Sequence, residues 1–359
     1  MSKRVYGAND RIAAGIMGCG GRGRSLAVEL AKRPGIDIAY VCDADSRRLD
    51  RIIHDVEQTN GQYPKGTMDF RHILDDGNVD LLINATPDHW HAPGTIMACQ
   101  AGKDVYVEKP LTHNIWEGRK VIEAVKKYKR IVQFGTQNRS APYVKAAQNY
   151  IRNGKLGGVH LIRVLNMKNR SRVGKKADEP TPEGVNYDMW LGPAPNRYFN
   201  PNHFHGYWHW YWNYSGGDII NDGIHQIDLA RMLIGKGYPE SVYSIGGKYN
   251  IDDDQETPDT QHVLYEYDGI TMTFELTLWT SYMQKTPGSI RDTDRFPKWL
   301  FNATRIEVYG TSGMMMMGRH GGGWQVFGDD GKEISAFPGR MTTDLHIDNL
   351  LECIKSRKQ

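Results

Sequence analysis

Apolar residues in the first 140 positions come in short continuous runs. The run 11–17 (RIAAGIM) stops at glycines and 36–42 (IDIAYVC) stops at Asp43; others fill 79–85, 104–107 and 131–135. Between them, 22–33, 46–58, 91–101 and 115–128 carry helix-like patterns. Continuously apolar strands separated by amphipathic helices predict a parallel sheet covered on both faces. Right-handed crossovers then give a doubly wound domain over residues 1–140. From about residue 156 the runs lengthen and alternate, at 159–168, 241–249, 261–268, 270–280 and 305–309, with Tyr267-Asp268-Gly269 as a hairpin turn. With helices at 223–234 and 343–356, residues 141–359 are predicted to form an α+β domain on a large, mostly antiparallel open sheet. The fold class is therefore α/β followed by α+β. Met314–Met317 is too short a run to carry meaning. Trp208, Trp210 and Trp212 alternate as they would on one face of an extended segment.

Length supports that division, since 359 residues exceed what one compact core usually holds. A content of 39% hydrophobic and 24% charged residues is that of a folded chain. Lys plus Arg total 45 against 42 for Asp plus Glu, a net charge of +3, and the basic residues are scattered. Neither nucleic acid nor a membrane is expected as a partner. Cys19, Cys42, Cys99 and Cys353 lack metal-ligand spacing and read as reduced thiols. No signal peptide follows Met-Ser-Lys-Arg, so the chain as written is expected in the cytoplasm.

Three segments carry chemistry. Gly18-Cys19-Gly20-Gly21-Arg22-Gly23 has G-x-G-x-x-G spacing between the first strand and the first helix. Gly18 serves the tight turn, Gly20 the approach to a pyrophosphate and Gly23 the packing of helix on strand. Asp43 follows at the end of the second strand, where a carboxylate accepts ribose hydroxyls and repels a 2′-phosphate, so NAD is favoured over NADP. Glu108-Lys109-Pro110 follows the strand 104–107, at a sheet end that faces the ligand crevice. In Gly216–Asp228, a helix from about 221 places Asn221, His225 and Asp228 at i, i+4 and i+7 on one face.

Weaker signals surround these. His89 and His91 follow the strand 79–85, and Gln137, Asn138 and Arg139 follow 131–135, at the same crevice edge. His203, His205 and His209 cluster without a nearby Cys or acid group, so they predict a polar, aromatic wall and no metal. His205 and Tyr211 are the candidate substrate contacts there.

Gly18–Gly23, Thr86-Pro87-Asp88-His89-Trp90-His91, Val107-Glu108-Lys109-Pro110 and Gly216–Asp228 together resemble the Gfo/Idh/MocA oxidoreductases, which include glucose–fructose oxidoreductase and inositol dehydrogenase. Trp190–Pro195 and Arg319–Trp324 are similar to a bacterial branch often exported by a twin-arginine leader. Gly7–Ile12 is similar to the start of its mature part, which implies the periplasm if a leader was removed. The resemblance implies an active site between the two domains and a homodimer or homotetramer formed through the second sheet. It implies a cofactor site of Gly18, Gly20, Gly21, Arg22, Gly23, Asp43, Thr86, Pro87, His89, His91, Glu108, Lys109 and Gln137. Lys109 would polarise the reacting hydroxyl and His225 would take its proton. Substrate contacts would be Lys109, Asn138, Arg139, His205, Tyr211, Asn221, Asp222 and His225. One departure matters: inositol dehydrogenases of the family carry Asp four residues before this His, and Asn221 cannot accept a proton. Asp222 sits about 100° further round a helix and is a poor substitute for that relay.

The function implied is hydride transfer between NAD and a secondary hydroxyl of a sugar, glycoside or cyclitol. One alternative is a redox-neutral glycosidase working by transient oxidation and elimination, although Glu108-Lys109-Pro110 resembles the dehydrogenases more. Another is a non-catalytic dinucleotide sensor, against which Lys109 and His225 argue.

Overall fold

The computed structural model describes residues 11–358, which divide into two compact units. The opening segment Gly7–Asp10, part of the leader resemblance, lies outside the described residues. The first unit is built on six strands: β1 (Ile12–Met17), β2 (Ile36–Cys42), β3 (Lys65–Thr67), β4 (Leu81–Asn84), β5 (Asp104–Val107) and β6 (Val132–Phe134). All pair in parallel in the order β3-β2-β1-β4-β5-β6. The order reverses direction at β1 and β4, and doubly wound sheets bind ligands outside the carboxyl ends of strands at such a switch. β1, β4 and β5 are buried almost throughout, the apolar-run pattern of a sheet covered on both faces.

This unit is not one continuous stretch. It comprises residues up to Gly135, then Lys176–Ser215, then the segment from Ile347 onward. The division expected at residue 140 falls near the first break and misses both returns. The returns have local causes. Ser46 N–H donates to the Gly184 carbonyl at 2.9 Å, and Asn186 N–H to that of Ala44 at 2.8 Å. Ile347, Leu350, Leu351 and Ile354, on the helix Thr343–Ser356, join the core of Ile16, Leu26, Ile38 and Ile83.

The second unit holds eight strands: β7 (Val159–Met167), β8 (Ser241–Gly247), β9 (Thr260–Tyr267), β10 (Ile270–Thr277), β11 (Arg305–Gly310), β12 (Gly313–Gly318), β13 (Trp324–Phe327) and β14 (Glu333–Phe337). Their order is β14-β13-β12-β11-β7-β10-β9-β8, antiparallel except where β7 and β10 pair in parallel. The methionine run set aside in the sequence is β12, with Met315 and Met317 fully buried. The tryptophan alternation does not mark an extended segment. Trp208–Trp210 is a short 3₁₀ turn with Trp210 buried, while Trp212 is half exposed. Among the described residues no helix is long and apolar enough to cross a membrane.

Candidate active site

The glycine loop is shaped by its own backbone. Gly18 adopts φ +94°, and a Cβ there would lie 2.6 Å from the Ala85 carbonyl oxygen. A Cβ on Gly23 would lie 1.8 Å from the Gly18 carbonyl oxygen, so neither position accepts a side chain. Gly20 caps the helix Gly21–Ala31 without a side-chain hydrogen bond, and its first turn has no acidic residue. Free N–H groups and a positive dipole end remain for an anion. Asp43 supports the loop from β2, its Oδ2 accepting the Cys19 N–H at 2.7 Å and its Oδ1 the Asp45 N–H at 2.9 Å. Burial raises its pKa, a trend those two N–H groups oppose.

Gly18, Gly20, Gly21, Arg22, Asp43, Thr86 and Pro87 line one cleft of about 300 Å³. A bare glycine cradle, a helix N-terminus and a carboxylate after β2 are the donor and acceptor set a dinucleotide needs. Arg48, Trp190, His205 and Trp208 also line this cleft. His205, expected at the substrate, places its Nε2 2.8 Å from Asp45 Oδ2 and lines this same cleft. Burial and the charge of Arg48 push its pKa down to about 4.

At the end of β5 the charges interlock. Glu108 is buried; Arg22 Nε donates to its Oε1 at 2.6 Å and the Tyr106 hydroxyl at 3.0 Å. Burial alone would raise its pKa, but Arg22 and Lys109 hold it below the usual value. Lys109 is half-buried and precedes a cis peptide to Pro110. Asp88 is 1% exposed and accepts the Ser215 hydroxyl at 2.5 Å. Burial pushes the Asp88 carboxyl up to about 7, against the opposing charge of Lys109. Sequence reasoning passed over Asp88 as one letter of a motif, because its burial depends on a serine 127 residues away.

Other candidates have structural partners. His91 is buried with Nδ1 2.5 Å from the Pro110 carbonyl and Nε2 2.9 Å from that of Thr86, bracing two loops. His89 is buried too, with Nε2 3.0 Å from the Trp190 carbonyl and its ring against Trp190 and Tyr214. Burial lowers both pKa values to about 4. Tyr211 is buried against His203, ring centroids 4.2 Å apart. Gln137, Asn138 and Arg139 form a 3₁₀ turn that clusters with the second unit. Asn138 Nδ2 donates to the Arg319 carbonyl at 2.6 Å, and Arg139 grips Asp228 at 2.7 and 2.5 Å. Asp228, three residues after His225 on the same helix, is thereby engaged by Arg139.

The second unit's chemistry gathers at the segment before His225. The chain is not α-helical from 221: Ile219–Gly223 forms a π turn, and the α-helix runs from Ile224 to Ile234. Such turns occur frequently at functional sites. His225 is buried in the helix's first turn, and Asn221 Nδ2 donates to Asp218 Oδ1 at 3.2 Å. Asp222, read as a poor substitute, is buried and contacts Lys168, Lys285, Arg319 and Arg170. Asp218 accepts Arg170 at 2.5 Å and Lys168 at 3.2 Å. Burial alone would raise its pKa, but Lys168 and Arg170 hold it well below the carboxylate range. The basic members went unread because they come from positions 168, 170, 285 and 319. The one usable signal was the parity that puts Asn166, Lys168 and Arg170 on one side of extended chain.

Comparison with known proteins accords with this architecture. Residues 12–136 match the model of an oxidoreductase family with an NAD-binding Rossmann fold, and 144–276 match that family's C-terminal alpha/beta domain. An uncharacterized oxidoreductase, YrbE of Bacillus subtilis, is 24% identical over 305 residues, covering 84% of this chain and 72% of its own length. Inositol 2-dehydrogenase of Rubrobacter xylanophilus is 31% identical over 161 residues, 44% of this chain and 45% of that protein. The WlbA dehydrogenase of Bordetella pertussis, solved with NADH and UDP-GlcNAcA, superposes with a TM-score of 0.66 at 19% identity, covering 96% of this chain and 88% of that one. With both domain models matched in order and the strand order of a dinucleotide-binding sheet in place, the chain belongs to the Gfo/Idh/MocA oxidoreductases, and its first domain is their NAD-binding Rossmann domain.

Proposed function

We propose that this chain is an NAD-dependent dehydrogenase or reductase acting on a secondary hydroxyl of a sugar, glycoside or cyclitol. The observation that carries the reading is Lys109 at the end of β5, flanked by ionised Glu108 and by an Asp88 whose proton is held to about pH 7. When bound, NAD supplies the hydride acceptor. Gly18, Gly20, Gly21 and Gly23 receive the pyrophosphate, and Asp43 meets the adenosine ribose. Arg22 steadies Glu108, and Thr86 and Pro87 line the same cleft. Lys109 donates to the reacting hydroxyl oxygen and stabilises the negative charge that develops there. His225 accepts the hydroxyl proton. His89 and His91 brace the loops rather than touch the cofactor. Asn221 and Asp222 act on the substrate side.

The dehydrogenase of Rubrobacter and the sugar-nucleotide complex of WlbA support a carbohydrate or cyclitol as substrate. Neither the glycosidase nor the sensor reading is favoured by an observation of its own. We also propose a homodimer or homotetramer through the second sheet, and a reducing compartment, the cytoplasm, for a chain whose four cysteines are free thiols.

The test is a screen of monosaccharides, glycosides and inositols with NAD and NADP, read at the nicotinamide absorbance band. A substrate should reduce NAD, and Lys109→Ala should lower its turnover by about 10²–10⁴-fold with NAD affinity retained. An active Lys109→Ala enzyme would remove the catalytic reading. Release of an aglycone without net NADH would replace it with the glycosidase.

A further inference from the structure

We propose that the second unit carries an oxyanion subsite, and that the carbohydrate taken by this protein bears a carboxylate or phosphate group. The inference rests on the dehydrogenase reading above and names the substrate class of its second unit. Its basis is an imbalance of charge. Four basic side chains, Lys168, Arg170, Lys285 and Arg319, converge on two carboxylates, Asp218 and Asp222. Burial pushes the Lys168 amine well below its usual value, so the surplus charge lies on the other three. Lys168 Nζ also donates to Asn166 Oδ1, a neutral amide, at 3.0 Å. Burying unbalanced charge is costly, and proteins normally pair it. Here the excess lies toward solvent. Lys168 is 5% exposed, while Arg170 is 25% and Lys285 39% exposed along their side chains. Cations at the mouth of such a cluster suit a ligand that brings its own negative charge.

A second observation stands beside the first. Arg170 N–H reaches the Leu278 carbonyl at 3.2 Å, carrying the pairing of β7 and β10 beyond both strands. Two residues on, the hydroxyl of Thr280, 5% exposed, has no hydrogen-bond partner, and neither does the buried Nε of Arg291. Arg291 also bears on Lys285 by its charge, and donors left over in the same unit as an excess of cations are what an oxyanion with several lone pairs satisfies.

The titration of Lys285 gives the proposal a readout. Arg170, Arg319 and Arg291 face it with like charge, Asp218 and Asp222 with opposite charge. Burial, followed by the arginines, lowers its pKa to about 8. His320, near the same cations, is pushed well below its usual value, first by burial. A bound anion stabilises the charged amine, so Lys285 takes up a proton on binding near pH 8, and affinity falls as pH rises beyond it.

Calorimetric titration of the purified protein with glucuronate, glucose 6-phosphate and glucose tests this. One of the charged sugars should bind about tenfold or more tightly than glucose, with net proton uptake in buffers of differing ionisation enthalpy. Tighter glucuronate identifies a carboxylate, tighter glucose 6-phosphate a phosphate. Lys285→Gln and Arg170→Gln should each bring the ratio toward one, and Lys285→Gln should abolish the proton uptake. Glucose binding as well as both anions overturns the proposal, as does a preference unmoved in folded Lys285→Gln and Arg170→Gln proteins. Oxidation of a neutral sugar together with that result would leave the dehydrogenase reading standing. Binding of a charged sugar without NADH formation by any sugar would sink the dehydrogenase reading instead.

Discussion

The glycine loop after β1 and the π turn before His225 are built in opposite ways. The loop presents bare backbone: two glycines where a Cβ would collide, a helix N-terminus without a capping side chain, and one carboxylate behind it. The π turn presents charged and polar side chains, with two aspartates against four basic residues drawn from distant positions. A site made of backbone depends on a few consecutive residues and tolerates almost no change in them. A site made of side chains depends on the whole unit holding its charges in place.

That contrast can be broken or sharpened by substitution. The largest effect should come from Asp218→Asn, which leaves Lys168 and Arg170 short of a buried partner. A loss of about 3–5 kcal/mol in urea unfolding is expected, with NAD affinity nearly unchanged. Gly18→Ala should do the reverse. It forces a side chain into positive φ against Ala85, costing about 1–3 kcal/mol of stability and most of the NAD affinity, read by fluorescence titration. If Gly18→Ala binds NAD normally, the backbone account of the loop fails.

Asp88→Asn reports on pH. The folded carboxyl titrates near 7 and an unfolded one near about 3.9, so the native state holds the extra proton between those values. The wild type should therefore lose stability relative to Asp88→Asn as pH rises through that window, visible as a widening gap in Tm. Equal Tm profiles would show that Asp88 is ionised throughout. The smallest effect belongs to Asp43→Ser, which should narrow the NAD-over-NADP preference by about tenfold through lost repulsion of the 2′-phosphate. Tighter wild-type binding of NADP than of NAD would reverse the assignment.

The same contrast explains what could be read from sequence. Gly18–Gly23 and Asp43 were legible because backbone geometry is written in adjacent letters, and the strand runs of the first sheet in continuous apolar blocks. β12, β13 and β14 were missed; the Met314–Met317 run looked like low complexity until its neighbours β11 and β13 gave it a register. Lys168, Lys285 and Arg319 were invisible as a group, since nothing in local spacing states that positions 117 and 34 residues apart converge. Asp222 was placed by an α-helical wheel, whereas Ile219–Gly223 is a π turn, and its ion pairs come from positions the wheel does not reach. His205 and Arg139 were assigned to the substrate from a histidine cluster, a strand end and a family resemblance, none of which states the contacts they make with Asp45 and Asp228.

The way the helix Thr343–Ser356 closes the first core bears on how the protein is made. Ile347, Leu350, Leu351 and Ile354 complete a hydrophobic cluster begun at Ile12, and Arg33 and Asp104 find their partners in Asp348 and Arg357. During synthesis the nucleotide-binding half therefore cannot finish folding first, as an amino-terminal domain ordinarily does. It emerges from the ribosome with an uncovered apolar flank and waits through some two hundred codons for the helix that seals it.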